Sequence, residues 1–131
     1  MPRIVTVRDP LTPEEHLNLG VAYERNGELD LAIREYELAL KRLPVAYLYL
    51  GNAYLLKNEF KIASDYYRKA IEKDPNNADA HNNLAWLYYL RRENLDEAEN
   101  LALRALELNP QKESLYRDTL HKIQELKRPP D

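Results

Sequence analysis

Cysteine is absent from the 131-residue chain, which removes disulfide frameworks, cysteine-based metal sites and thiol chemistry together. Glycine is scarce, at three residues, so no glycine-rich loop is available to cradle a phosphate. No run of about 18 apolar residues occurs, and no membrane-spanning helix or membrane insertion is expected. Neither sign of charge dominates: 19 Lys and Arg stand against 22 Asp and Glu, for a net charge of -3. That balance argues against nucleic-acid binding, which needs a basic face to neutralise phosphates. The opening MPRIVTVRDP has no apolar core long enough for a signal peptide. What remains is 31% charged and 44% hydrophobic residues, the mixture of a packed chain and not of a disordered one. Among eight prolines, Pro44, Pro75 and Pro110 punctuate the chain at near-regular intervals.

Between those prolines the chain repeats itself. Leu19-Gly20-x-x-Tyr23 is followed by Ala32, Tyr36, Ala39 and Pro44. The same order returns as Leu50-Gly51-x-x-Tyr54, Ala63, Tyr67, Ala70 and Pro75. It returns again as Leu84-Ala85-x-x-Tyr88, Ala98, Ala102, Ala105 and Pro110. Each copy holds two amphipathic stretches with apolar residues at helical spacing. The first, Pro13 to Asn26, opens on the capping box Thr12-Pro13-Glu14-Glu15 and closes on Asn26-Gly27, a left-handed stop. The second, Leu29 to Leu43, ends because a residue before proline avoids the helical region. The later stretches fall near 45–57, 60–73, 78–91 and 95–108. A last one, 111–127, places Leu115, Tyr116, Thr119, Leu120, Ile123 and Leu126 on one side, as a helix covering the end of a repeat array does.

This ordered set resembles the tetratricopeptide repeat over about residues 13 to 110. The third copy departs from the family pattern at Ala85, where Gly is usual, and at Ala102, where an aromatic is usual. The resemblance implies an all-α fold, a right-handed α-solenoid of antiparallel helix pairs with about seven helices. Residues 1–12 form an arm, 13–44, 45–77 and 78–110 the repeats, 111–127 the capping helix and 128–131 a tail. Gly20 and Gly51 are 31 residues apart, short of the family's period of about 34. The missing residues lie around Pro44, which predicts a tight corner and a shortened start to the third helix. One residue inserted between Tyr88 and Ala98 is expected to lengthen the Arg92-Glu93-Asn94 turn. In the arm, Ile4, Val5 and Val7 read as a loose segment or the end of a preceding domain.

Catalytic chemistry finds no footing. His16 and His81 share one repeat position, with Tyr47 between them in the second copy, so packing explains them. No histidine pair has the i, i+4 spacing of a helical zinc site. Ser64 and Ser114 lack partners for nucleophilic work. The chain is read as a non-enzyme without metal or cofactor.

In the family, the first helix of each pair lines a concave groove that takes peptides and partner proteins. By helical phase the inward residues are Leu17, Asn18, Val21 and Glu24, then Leu48, Tyr49, Asn52 and Leu55, then Asn82, Asn83, Trp86 and Tyr89. The candidate partner-binding set is Leu17, Val21, Leu48, Tyr49, Asn52, Asn82, Asn83, Trp86 and Tyr89. Trp86 is expected to face solvent with Tyr89, an aromatic patch of the kind that anchors partners. The alternative packs Trp86 and Tyr89 against the arm or the final helix. Chaperone-binding family members clamp a C-terminal carboxylate with Lys, Asn, Asn, Lys and Arg. The matching positions here are Leu17, Val21, Tyr49, Asp79 and Asn83, so no such clamp is expected.

The function expected is a protein–protein interaction module binding a peptide or partner segment in the groove. A homo-oligomeric scaffold unit is the second reading. The third is a C-terminal recruitment block of a larger bacterial protein. The runs Asn82-Asn83-Leu84-Ala85-Trp86-Leu87 and Leu115-Tyr116-Arg117-Asp118-Thr119-Leu120 are similar to terminal repeat blocks there, some behind a papain-like peptidase domain. The default compartment is the cytoplasm; a block of a larger protein would allow the periplasm or the cell exterior.

Overall fold

The computed structural model describes residues 8–131; Ile4, Val5 and Val7 of the expected arm lie outside the described residues. The helices are α1 (Pro13–Arg25), α2 (Leu29–Leu40), α3 (Ala46–Leu56), α4 (Phe60–Lys73), α5 (Ala78–Arg91), α6 (Leu95–Leu108) and α7 (Glu113–Lys127), with a single 3-10 turn at Pro110–Lys112. No strand occurs among the described residues. Each helix packs on the next along the chain, while α3 also touches α5 and α5 touches α7. The odd-numbered helices therefore line one side of an α-solenoid and α2, α4 and α6 the other.

Local chemistry sets the helix ends. The Thr12 hydroxyl accepts from the Glu15 N–H at 3.1 Å, and the Glu15 carboxylate accepts from the Thr12 N–H at 3.0 Å, completing the expected capping box. Asn77 caps α5 by accepting from the Ala80 N–H at 3.1 Å. Every turn from an inner to an outer helix passes through the left-handed region, with φ of 78° at Gly27 and 62° at Asn58. The longer third turn uses two such residues, Arg92 (53°) and Asn94 (50°), so the inserted residue costs a second unfavourable conformation.

At Pro44 the corner is tight, as expected, but α2 stops at Leu40 and not at Leu43. The Arg42 and Leu43 N–H groups both fold back onto the Ala39 carbonyl, at 3.1 and 2.9 Å. The Ala46, Tyr47 and Leu48 N–H groups then reach the carbonyls of Leu43, Pro44 and Val45, each at 3.0 Å. Apart from the Leu43 bond, which keeps α-helical spacing, these are three-residue turns, and they tighten the chain on both sides of the proline. They leave α3 with 11 residues against 13 in α1 and 14 in α5.

The pairs close on an aromatic ring laid against bare backbone. A Cβ on Gly20 would stand 2.4 Å from a Tyr36 ring carbon, and one on Gly51 2.5 Å from Tyr67. Tyr36 and Tyr67 are fully buried, with Ala32, Ala39 and Ala63 beside them. The third pair solves the same geometry differently. Ala85 takes the glycine's place, and Ala102, which is fully buried, takes the ring's. Leu120 and Ile123 from α7 complete that cluster. The two departures from the repeat pattern are thus one compensated exchange of volume.

The ends are closed by polar contacts. On α7 the buried Tyr116 donates its hydroxyl proton to Asp79 of α5 at 2.7 Å, and Lys127 bridges Asp96 and Glu99 of α6 at 2.7 and 2.9 Å. At the other end His16 is buried with one ring nitrogen on Asp9 and the other on Glu35, the latter at 2.5 Å. Carboxylates only accept, so this arrangement favours the doubly protonated ring. The Glu35 hydrogen bond outweighs burial and, with that to Asp9, raises the His16 pKa. His81 is buried against the Pro75 carbonyl at 2.8 Å, and His121 is exposed.

Gly51→Ala is expected to cost about 1–3 kcal/mol by overpacking and Tyr67→Ala about 3–5 kcal/mol by leaving a cavity. Made together they copy the third pair and should cost less than the sum, by at least about 1 kcal/mol in a urea-denaturation cycle. Additive costs would contradict the ring-on-backbone account. His16 contributes stability that is complete below its unfolded pKa of about 6.5 and is lost as pH rises through its higher folded value. The gap in urea midpoint between the natural chain and His16→Gln should therefore narrow as pH is raised from 6; a gap independent of pH would show that His16 is folded in its neutral form.

Candidate functional site

The inner face is built around Asn52 on α3. Tyr67, reaching through from α4, donates its hydroxyl proton to Asn52 Oδ1 at 2.6 Å, and Asn83 Nδ2 of α5 donates to the same oxygen at 2.9 Å. Burial pushes the Tyr67 phenol up, so it stays protonated and stays a donor. Two donors on one atom fix which end of the Asn52 amide is oxygen. They leave the Asn52 NH2 and the Asn83 oxygen without a partner among the described residues. In the first repeat the equivalent ring, Tyr36 of α2, donates to Glu24 of α1 at 2.9 Å.

Around this pair lies a hollow of about 310 Å³, lined by Glu24, Asn52, Leu55, Leu56, Tyr67, Asn83 and Trp86. Leu56 is 56% exposed, and Trp86 stacks on Tyr89 with ring centres 5.1 Å apart. A second hollow of about 230 Å³ opens on the other side of Asn83 and Trp86, between α5 and α7, lined by those two with Asn82, Leu115, Asp118 and Thr119. A third, beside His16 and the α2 end, is remote from both and belongs to the end contact already described.

The candidate residues divide. Asn52, Asn83, Trp86 and Tyr89 come together on the inner face. Leu17, Val21 and Tyr49 are half-buried, packed against Tyr36, Leu50 and Ala53, and offer only their edges. Leu48 and Asn82 are corrections. Leu48 is 8% exposed and shares a core cluster with Ala80 and Leu84 of α5. Asn82, at the same repeat position, is 4% exposed, and its Oδ1 is buried without a hydrogen-bond partner. Their phase on the inner helix points toward the seam with the next inner helix, with Leu48 packed into the core there and Asn82 also lining the smaller hollow. An unpaired buried amide oxygen costs about 1–3 kcal/mol.

Trp86 is not the solvent-facing residue expected. It is half-buried, and Lys122 of α7 sets its ammonium 5.4 Å from the indole centre while bonding Asp118 at 2.6 Å. The final helix, one of the two packing partners foreseen, covers part of it. Asp79 sits where a clamp would need a cation, and its carboxylate is engaged by Lys112 at 2.8 Å and by Tyr116. Burial pushes the Asp79 pKa up, and these two hydrogen bonds more than reverse it. Leu56, Tyr67, Leu115, Asp118 and Thr119 were absent from the candidate set. Tyr67 could have been found, because a buried phenol needs a partner on the far side of its helix. Among the described residues no cluster of three metal-ligating side chains occurs, and no helix is long and apolar enough to cross a membrane.

Sequence models of the tetratricopeptide repeat match residues 13–44, 44–77 and 66–100. Human tetratricopeptide repeat protein 6 is 38% identical over 69 residues, which is 50% of this chain and 13% of that protein. The chloroplastic tetratricopeptide repeat domain-containing protein PYG7 of Arabidopsis thaliana is 39% identical over 62 residues, 45% of this chain and 21% of that one. The chain thus spans about a fifth of these relatives' length at most. Among solved structures, the first TPR of Spaghetti (RPAP3), bound to the HSP90 peptide SRMEEVD, superposes with a TM-score of 0.79 at 22% identity, over 89% of this chain and 94% of that one.

Because Lys122 shields one face of the indole, Lys122→Ala should make Trp86 fluorescence more readily quenched by acrylamide, with little change in the urea midpoint. Unchanged quenching would mean that the lysine does not cover the ring in solution.

Proposed function

The chain belongs to the tetratricopeptide repeat family, and on that premise we propose that its inner face docks an extended segment of a partner protein, as a module without catalysis of its own. The observation that carries this reading is the oriented amide pair in the larger of the two inner-face hollows. Asn52 is left with a donor and Asn83 with an acceptor, side by side, which matches the alternating C=O and N–H of an extended backbone. Leu55, Leu56, Trp86 and Tyr89 supply apolar surface for the segment's side chains. Such mixtures of aromatic anchors and amides are where binding energy concentrates. The peptide bound by the first TPR of Spaghetti is a precedent on a similar scaffold, but its acidic tail is the wrong ligand here. The five clamp positions, Leu17, Val21, Tyr49, Asp79 and Asn83, hold no cation.

An immobilised library of random nine-residue peptides, screened against the natural chain, is expected to yield binders that shift Trp86 fluorescence saturably. Asn52→Leu should weaken the selected peptides by about tenfold or more, and the SRMEEVD peptide should give no saturable shift. Selected peptides that bind Asn52→Leu unchanged would move the site off this face. A library with no binders, joined to a solution mass that is a multiple of 15.4 kDa, would favour self-assembly instead.

A further inference from the structure

The smaller hollow has its own chemistry. Its polar lining is rich in acceptors. Asn82 lines it with an oxygen that is buried and unpartnered, and that reaches the hollow only when the amide turns. The Asn83 oxygen is spared because its NH2 is spent on Asn52. Asp118 contributes a carboxylate, and Thr119 turns its hydroxyl proton back to the Leu115 carbonyl at 3.4 Å, leaving lone pairs. One wall is the Trp86 indole and another the 53% exposed Leu115. A cation from the chain itself already uses two of these lining residues, since the Lys122 ammonium lies over Trp86 and on Asp118.

Asn82 is the residue without a structural reason. The first two repeats put Leu17 and Leu48 at its position, and both pack. A leucine there would satisfy the seam at once, whereas the amide stays half unsatisfied. The asparagine χ2 is a soft torsion, so the group can turn to whatever enters the hollow it lines. Acceptors grouped around an aromatic face fit a planar cation with several N–H donors, which is a guanidinium.

We propose that the hollow between α5 and α7 is a subsite for an arginine side chain of the docked segment, its guanidinium stacked on Trp86 and donating to Asn82, Asn83 and Asp118 in place of Lys122. This rests on the reading of the inner face as a docking surface and names what one part of it takes.

The probe is N-acetyl-arginine amide, titrated into the isotopically labelled chain at concentrations on the order of 10 mM and followed by NMR. Saturable shifts are expected at the Trp86 indole N–H and the Asn82 and Asn83 side-chain amides, and none with N-acetyl-glutamate amide. Lys122→Ala, which removes the internal competitor, should tighten the arginine probe about two- to fivefold. Asn82→Leu should abolish the shifts at Trp86 while raising Tm by roughly 3–10 °C, a combination that a merely structural asparagine would not give. Absence of arginine-specific shifts, or shifts that survive in Asn82→Leu, overturns the proposal. Library peptides that bind this face with no arginine at this subsite would overturn it while leaving the docking reading intact.

Discussion

Where Tyr36 and Tyr67 press their rings on Gly20 and Gly51, two helices approach as closely as a ring's thickness allows. The contact fixes more than the spacing of the pair. The same rings carry hydroxyls that emerge on the inner face and there hold Glu24 and Asn52. A core contact therefore sets the orientation of a surface amide, and through Asn83 it sets a second one on the neighbouring repeat. The polar pattern of the face is a by-product of how the core is filled. In the third pair, where Ala85 and Ala102 stand in for the glycine and the ring, no hydroxyl comes through. The volume is made up from α7, and the Asn83 amide of that repeat is held from the neighbouring repeat, by Asn52.

The two ends of the stack are held by different means. At the start, His16 lies between two carboxylates, which favours its protonated form and ties this end to pH. At the finish, α7 uses a buried phenol on Asp79 and a lysine on two carboxylates, and it carries Glu113–Arg117 and Asp118–Lys122 pairs, each spanning one turn, the second facing Trp86.

Much of the fold is legible in the residues. Thr12-Pro13-Glu14-Glu15, Gly27 and Pro44 act through local sterics and hydrogen bonding, which sequence displays directly. The end of α2 is less so. Pro44 predicts that Leu43 leaves the helix, but the collapse of Lys41 and Arg42 into tight turns depends on the shortened link to α3. The inner face is legible only in outline. Helical phase finds Asn52, Asn83, Trp86 and Tyr89, because they sit near the middle of the stripe. Leu48 and Asn82 sit at its edge, where the offset between adjacent inner helices decides between groove and seam, and that offset belongs to the assembled stack. Tyr67 and Lys122 reach the site from other helices, beyond anything the phase of one helix can report.

The unequal repeats bear on how the chain finds its order. Arrays of near-identical units can stack out of sequence, repeat three on repeat one, and such misregistered species are characteristic traps for repeat proteins. Here the corner at Pro44 has no counterpart of the same length at Pro75 or Pro110. The third pair also presents Ala102 where the others present a ring. Stacked beside the wrong neighbour, it would offer a different surface at a different distance, leaving a void or a clash. The irregularities that make the repeat imperfect thus label each unit with its place. A funnel toward one arrangement gains depth from such consistency between local contact and global order.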